Sequence, residues 1–238
     1  MPHEQMNAQQ VAAYLHMDLR EVLKLASRGQ IPCRKSGSDF VFYKGQVDHW
    51  VEAQMHTLGA DRLAKIEKGV SAHHGFEHEE LVVPLIPADG IAAPLEARTR
   101  DATIRALVDL ADAGGLVYNK ADLVQEINQR EELCSTALIP GVALPHPRHQ
   151  LPYDIDASFV VVGLTGAGIP FGAEDGSLTR LFFLICCKDE RTHLHVLARL
   201  ALMLHDAQTV ENLLRAESGE QLRDALARRE RAIVEAAG

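Results

Sequence analysis

The run Gly141-Val142-Ala143-Leu144-Pro145-His146-Pro147-Arg148 joins a short apolar strand to a histidine held between two prolines. Proline fixes its own φ and biases the preceding residue toward extended backbone, so the chain around His146 cannot continue as a helix and has little freedom. Such rigidity suits a reactive imidazole. Unperturbed histidine titrates at about pH 6.5, so much of it is neutral in the physiological range, and a neutral ring nitrogen attacks phosphorus without a separate base. Phosphohistidine is labile enough to pass its phosphoryl group on, provided nearby cations and donors hold the oxygens in transfer. Taken alone, a Pro-His-Pro loop is more often structural than reactive, so the weight falls on its surroundings.

Around this run helical and strand signals alternate. Residues 100–113 place Ile104, Leu107, Val108 and Ala111 on one face of an amphipathic helix, and a second helix runs from Asn119 or Lys120 to Leu133. Buried-strand runs follow at 142–144, 157–164 and 181–187, and long helices close the chain over 190–205, 207–216 and from Ser218 onward. Strands interleaved with helices of this length predict an α/β fold, a mixed β-sheet covered by helices on both faces.

Four ordered blocks go beyond that pattern. They are Arg130-Glu131 with Ser135-Thr136, then Gly141 to His146, then Gly168-Ile169-Pro170-Phe171 with Asp175-Gly176, and lastly His193-Leu194 with Leu197-Ala198. On these residues, Leu81 to about Leu226 resembles the type-2 IIA domain of the phosphoenolpyruvate-dependent sugar phosphotransferase system, in its fructose, mannitol and nitrogen-regulatory branch. The resemblance implies that His146 accepts a phosphoryl group from a histidine phosphocarrier of the HPr type, without a cofactor, and that Arg130 and a second histidine, His193, share its site. Arginine offers phosphate a planar fork of donors, and a histidine at a helix start can present a second nitrogen to the same group. His195 is a rival for the second position, because the loop 188–192 before His193 is compact and charged. Ser135, Thr136 and Arg148 are further candidate phosphate contacts, although the two hydroxyls suit a helix-ending role equally well. Pro147 stands where the family commonly has glycine or alanine, and it stiffens the loop.

The first 57 residues have a different character. Asn7 caps a helix carrying Val11, Ala12 and Leu15, and a tight turn at His16-Met17-Asp18 leads to a second helix with Leu19, Val22, Leu23 and Ala26, ended by Gly29. Two strands then flank Ser36-Gly37-Ser38, and a third helix covers about 44–56. Val11-Ala12-Ala13-Tyr14-Leu15, Arg28-Gly29-Gln30-Ile31-Pro32 and Asp48-His49-Trp50 together resemble the excisionase-type winged helix-turn-helix over Ala8 to Met55, which implies a small DNA-binding domain. Arg20, Lys24 and Arg28 share a helix face that would meet bases, and Arg34 and Lys35 lie by the wing that would meet phosphates. On charge alone these cations, mixed with acids, read as an ordinary solvated surface. After a short helix-like piece from Ala60 to Lys68, the polar run His73 to Glu80 lacks apolar anchors, so residues 58–80 read as a flexible linker between domains at 1–57 and 81–238.

Composition bounds the function. The net charge of −9 argues against wholesale nucleic-acid binding, and because the segment through Thr57 is neutral, the remaining chain carries the acidic excess. No apolar run approaches the roughly 18 residues of a membrane span, and the start lacks a basic and apolar leader, so a cytoplasmic chain without membrane insertion is expected. Cys186 and Cys187 lie adjacent in an apolar run and read as buried reduced thiols. The histidine clusters, 73/74/78 and 193/195, lack cysteine or acidic partners at a recognised spacing, so no metal site is expected. Three functions fit: a regulator whose DNA-binding head responds to phosphate on His146, a plain phosphotransfer component feeding a sugar permease, and a scaffold that keeps only the fold. An N-terminal head without fused permease segments favours the first.

Overall fold

The computed structural model describes residues 5–15, 17–37, 39–55, 60–74, 79–137 and 139–237. Strand β1 (Gln5–Met6) leads into α1 (Ala8–Tyr14), where the Asn7 side chain accepts from the Gln10 backbone N–H and the Gln10 side chain accepts from that of Asn7. Asp18 caps α2 (Leu19–Ser27), and Gly29 leaves it at φ 65°, a left-handed conformation that favours glycine. Strands β2 (Arg34–Ser36) and β3 (Asp39–Tyr43) pair antiparallel, β1 takes the other edge of β3, and α3 (Lys44–Met55) follows. His16, Ser38, His56 and Thr57, which the expected turns and helix end include, lie outside the described residues.

The expected flexible linker requires correction. Most of it is α4 (Ala60–His74), a helix packed on α1 and α7 (Glu190–Leu204). Leu63 and Ile66 are buried at helical spacing, and beside them Glu67 accepts from Arg199 Nε at 2.7 Å. A glutamate in the middle of a segment reads as solvated until its cation, 132 residues away in the chain, is known. Residues 75–78 of the expected linker lie outside the described residues.

The second half is built on β4 (Ile91–Ala92), α5 (Arg100–Ala113), α6 (Lys120–Leu133), β5 (Val142–Ala143), β6 (Phe159–Ile169) and β7 (Thr179–Cys186), followed by α7, α8 (Ala207–Leu214) and α9 (Gly219–Ala237). Its sheet has the order β4-β6-β7-β5, parallel at both outer pairs and antiparallel between β6 and β7. Successive side chains of a strand point to opposite faces, and here both faces are apolar. Phe159, Val161, Phe182 and Leu184 pack with Ile104 and Leu107 of α5 and Leu123 of α6. Val160, Val162, Phe183 and Ile185 join the helices of the opposite layer, α7 to α9. This is the expected mixed sheet covered on both faces. Cys186 and Cys187 are buried within it, and burial pushes the Cys187 thiol up to about 12. Among the described residues no helix is long and apolar enough to cross a membrane.

The apolar layer over α7 runs without a break into the head. Val11, Val22, Val47 and Val51 belong to the same cluster as Leu63 and Ile66 of α4 and Leu194 and Leu197 of α7. A buried charge cluster fastens this side. Arg199 bridges Glu67 of α4 and Glu230 of α9, and Glu230 also accepts the backbone N–H groups of Leu81, Val82 and Val83, each at 2.8 Å. Removing one member of such a cluster strands the others without solvent. Glu230→Ala is expected to cost about 3–5 kcal/mol in urea unfolding, whereas a loss below about 1 kcal/mol, typical of exposed pairs, would show the cluster to be solvated.

Candidate functional site

Five constraints hold His146. Gly141 enters β5 at φ 79°, and its carbonyl accepts from Arg180 and Leu181. Strand β5 pairs in parallel with β7, and Pro145 extends the pairing by accepting from the Ile185 N–H at 3.0 Å. The Leu144 N–H donates to the Thr136 carbonyl at 3.3 Å. Past the histidine, the Arg148 N–H donates to the Glu126 carbonyl at 3.3 Å. Finally, His146 Nδ1 lies 2.8 Å from the Leu144 carbonyl oxygen.

That last contact fixes the ring's protonation. A carbonyl can only accept, so Nδ1 carries the proton and Nε2 carries the lone pair. Arg130 Nε donates to that Nε2 at 3.0 Å, and its Nη1 donates to the Cys134 carbonyl at 2.9 Å. The ring of His193, in the first turn of α7, has its centroid 4.9 Å from that of His146. Arg130, His146 and His193 are all buried. They line one cavity of about 600 Å³, together with Arg148 at its exposed rim. The arrangement offers a nucleophilic nitrogen with an arginine N–H already at the nucleophile.

The structure separates the sequence candidates. His193 lies beside His146, whereas His195, two residues on and therefore on another face of the helix, has Nε2 3.4 Å from Glu67. Ser135 and Thr136 do not line the cavity. The Ser135 hydroxyl donates to the Phe171 carbonyl at 3.1 Å and accepts from the Ala137 N–H, and the Thr136 hydroxyl donates to the buried Glu131 carboxylate. Both act as supports for the loop after α6. Arg20 and Lys24 on α2, Arg28 at its C-cap, and Arg34 and Lys35 on β2 are exposed and lie away from this cavity.

Sequence reasoning missed two groups. The first is a pair of bracing groups: Glu131, which stood in the Arg130-Glu131 block without a role, holds Thr136 through its carboxylate, and Glu126 holds Arg148 through its backbone carbonyl, a contact that no side-chain pattern signals. The second group is Tyr43, Gly45 and Gln46 of the head, which line the same cavity. Nothing in a linear sequence brings residue 45 to residue 146.

The mixed sheet, with His146, Arg130 and His193 meeting at one strand end, agrees with what the resemblance to type-2 IIA domains implies. The profile of the phosphoenolpyruvate-dependent sugar phosphotransferase system EIIA 2 family matches residues 84–229, more than half of the chain, and the chain belongs to that family. It is 25% identical over 215 residues to the mannitol-specific EIICBA component of Escherichia coli (strain K12), covering 90% of this chain and 32% of that protein. The chain thus spans about a third of that relative's length. Among solved structures, the nitrogen regulatory protein IIA-Ntr of Neisseria meningitidis superposes with a TM-score of 0.54 at 26% identity, over 60% of this chain and 97% of its own. The Escherichia coli IIA-mannitol enzyme, solved in complex with phosphorylated IIB-mannitol, gives 0.50 at 26% identity, over 59% and 96%.

Burial pushes the Glu131 carboxyl above its ordinary value of about 4.5, only partly opposed by its hydrogen bonds with Thr136 and by the neighbouring His146 and Arg130. A carboxyl raised on folding stabilises most below its unfolded value, and that contribution is lost as pH climbs through the folded value. Glu131→Gln removes this dependence. Its stability relative to wild type should therefore rise from about pH 4.5 toward neutrality, by at most about 1.4 kcal/mol per unit. A pH-independent difference between the two unfolding series would show that Glu131 keeps its ordinary titration.

Proposed function

We propose that the protein is a regulatory phosphocarrier that takes a phosphoryl group onto His146 Nε2 from a histidine phosphocarrier of the HPr type. The observation that carries this reading is a pair of contacts, His146 Nδ1 at 2.8 Å from the Leu144 carbonyl oxygen and Arg130 Nε at 3.0 Å from Nε2, which together assign the proton to Nδ1 and make Nε2 the nucleophile. The Nε2 lone pair attacks the donor's phosphorus, the donor's N–P bond breaks, and its electron pair returns to the donor imidazole. No proton needs to leave His146, because the Nδ1–H stays on the carbonyl while the ring becomes positive. Arg130 then turns its fork from Nε2 to the phosphoryl oxygens, with His193 and Arg148 at the same cavity. That IIA-mannitol was solved in complex with phosphorylated IIB-mannitol supports a protein partner for this domain as well. The sugar or nitrogen branch served follows from that partner.

Incubation with phosphoenolpyruvate, enzyme I and HPr should give an acid-labile, alkali-stable mass gain that His146→Ala abolishes. Arg130→Ala should slow transfer roughly a hundredfold, about 3 kcal/mol of preorganised charge stabilisation. Wild-type labelling of His146→Ala would put the acceptor elsewhere.

The head supplies the regulatory half of the reading. It would bind DNA through Arg20, Lys24 and Arg28, with Arg34 and Lys35 at the adjoining strand, and what supports this is that all five are exposed on α2, its C-cap and β2. Binding of genomic duplex by the full chain should weaken with rising salt, and replacing the three helix cations should reduce both affinity and salt slope. A salt-insensitive head, or one indifferent to those substitutions, is a protein-docking module instead.

A further inference from the structure

We infer that the head is a built-in cover on the acceptor histidine: the start of α3 stands at the mouth through which a donor protein must reach His146, so loading by a protein donor requires that end of the head to move off α7. This deepens the phosphoacceptor reading and rests on it.

The cavity has walls from both halves of the chain. Arg130, His146 and His193 form one side, and Tyr43, Gly45 and Gln46 form the other. The contact between them is close. A Cβ placed on Gly45 would lie 3.6 Å from both carboxylate oxygens of Glu190, the first residue of α7. With the head seated, His146 is 3% exposed, Arg130 5% and His193 9%.

Transfer from one protein to another brings donor phosphorus to roughly 3–3.5 Å from the accepting nitrogen, in line. The donor histidine sits on a folded surface, so that surface must seat on the cavity rim where Gly45 and Gln46 stand. A cavity of about 600 Å³ admits a small phosphoryl compound without such a rearrangement. The cover therefore discriminates donors by size. The covering contact itself is made by exposed groups, Gly45, Gln46 and Glu190, so the opening is confined to the first residues of α3, ahead of Val47 and Val51, which stay in the apolar cluster shared with α7. By linkage, a ligand that holds the head away from α7 raises the affinity of the donor protein for the site, and the bound donor frees the head for that ligand to the same degree.

The experiment uses the full chain and two donors, phosphorylated HPr and the small compound phosphoramidate. Gly45→Glu sets a second carboxylate against Glu190 at a helix start that tolerates acids well. Like charges about 4 Å apart near a protein surface should open the cover and raise the HPr-driven rate about tenfold, with phosphoramidate labelling of His146 unchanged. Adding Glu190→Lys to Gly45→Glu restores attraction and should return the HPr rate to the wild-type value. An HPr rate unaltered by Gly45→Glu, or raised equally for both donors, overturns the cover while leaving the acceptor in place. Absence of His146 labelling by phosphoramidate in the wild type overturns the acceptor reading, and the cover falls with it.

Discussion

The hydrogen bond from Arg130 Nε to His146 Nε2, 3.0 Å long, is the contact on which the proposed chemistry depends. It exists because the Leu144 carbonyl holds the ring proton on Nδ1 and leaves the other nitrogen bare. One N–H thus guards the nucleophile before transfer and lies within reach of the phosphoryl oxygens afterwards. Everything nearby keeps these groups in register. Thr136 braces Leu144, Glu131 braces Thr136, and the Arg130 guanidinium is itself held by the Cys134 carbonyl. A loop closed by two prolines needs few further restraints, which is how a short strand such as β5 can fix a reactive ring.

Helix α7 serves two sites on different faces. Its first turn brings His193 to His146, and one to two turns later Arg199 joins α4 to α9 through buried carboxylates. The head packs against this same helix, so its described residues and the acceptor face are parts of one packed body. Long-range charge across a mobile tether is therefore not the natural route for coupling. The direct contact between α3 and α7 is the place where the proposed cover would act on the acceptor.

Much of the fold was legible because the sheet is apolar on both faces and its strands read as continuous runs, while α5 and α6 carry clean amphipathic or capping signals. The strand β4, only two residues long, escaped notice because so short an element has no period to read. His146, Arg130 and His193 were found from their order in the family blocks, and the geometry brings these three together. The placement of α4 was illegible for a physical reason: Glu67 looks like a solvated residue until Arg199 is folded onto it. The cavity wall supplied by Tyr43, Gly45 and Gln46 was invisible for a related one, since two segments that read as separate domains gave no hint of a shared surface. Ser135 and Thr136 show the converse, being correct in neighbourhood but engaged in bracing the loop.

The central proposal, that His146 attacks through Nε2, is tested most directly by nitrogen-15 NMR of the imidazole in the full chain before and after loading with phosphoramidate. The tautomer described here predicts a protonated Nδ1 and a bare Nε2 in the free protein, and phosphorus coupling to Nε2 in the loaded one. A ring protonated at Nε2, or phosphorus coupled to Nδ1, would contradict it.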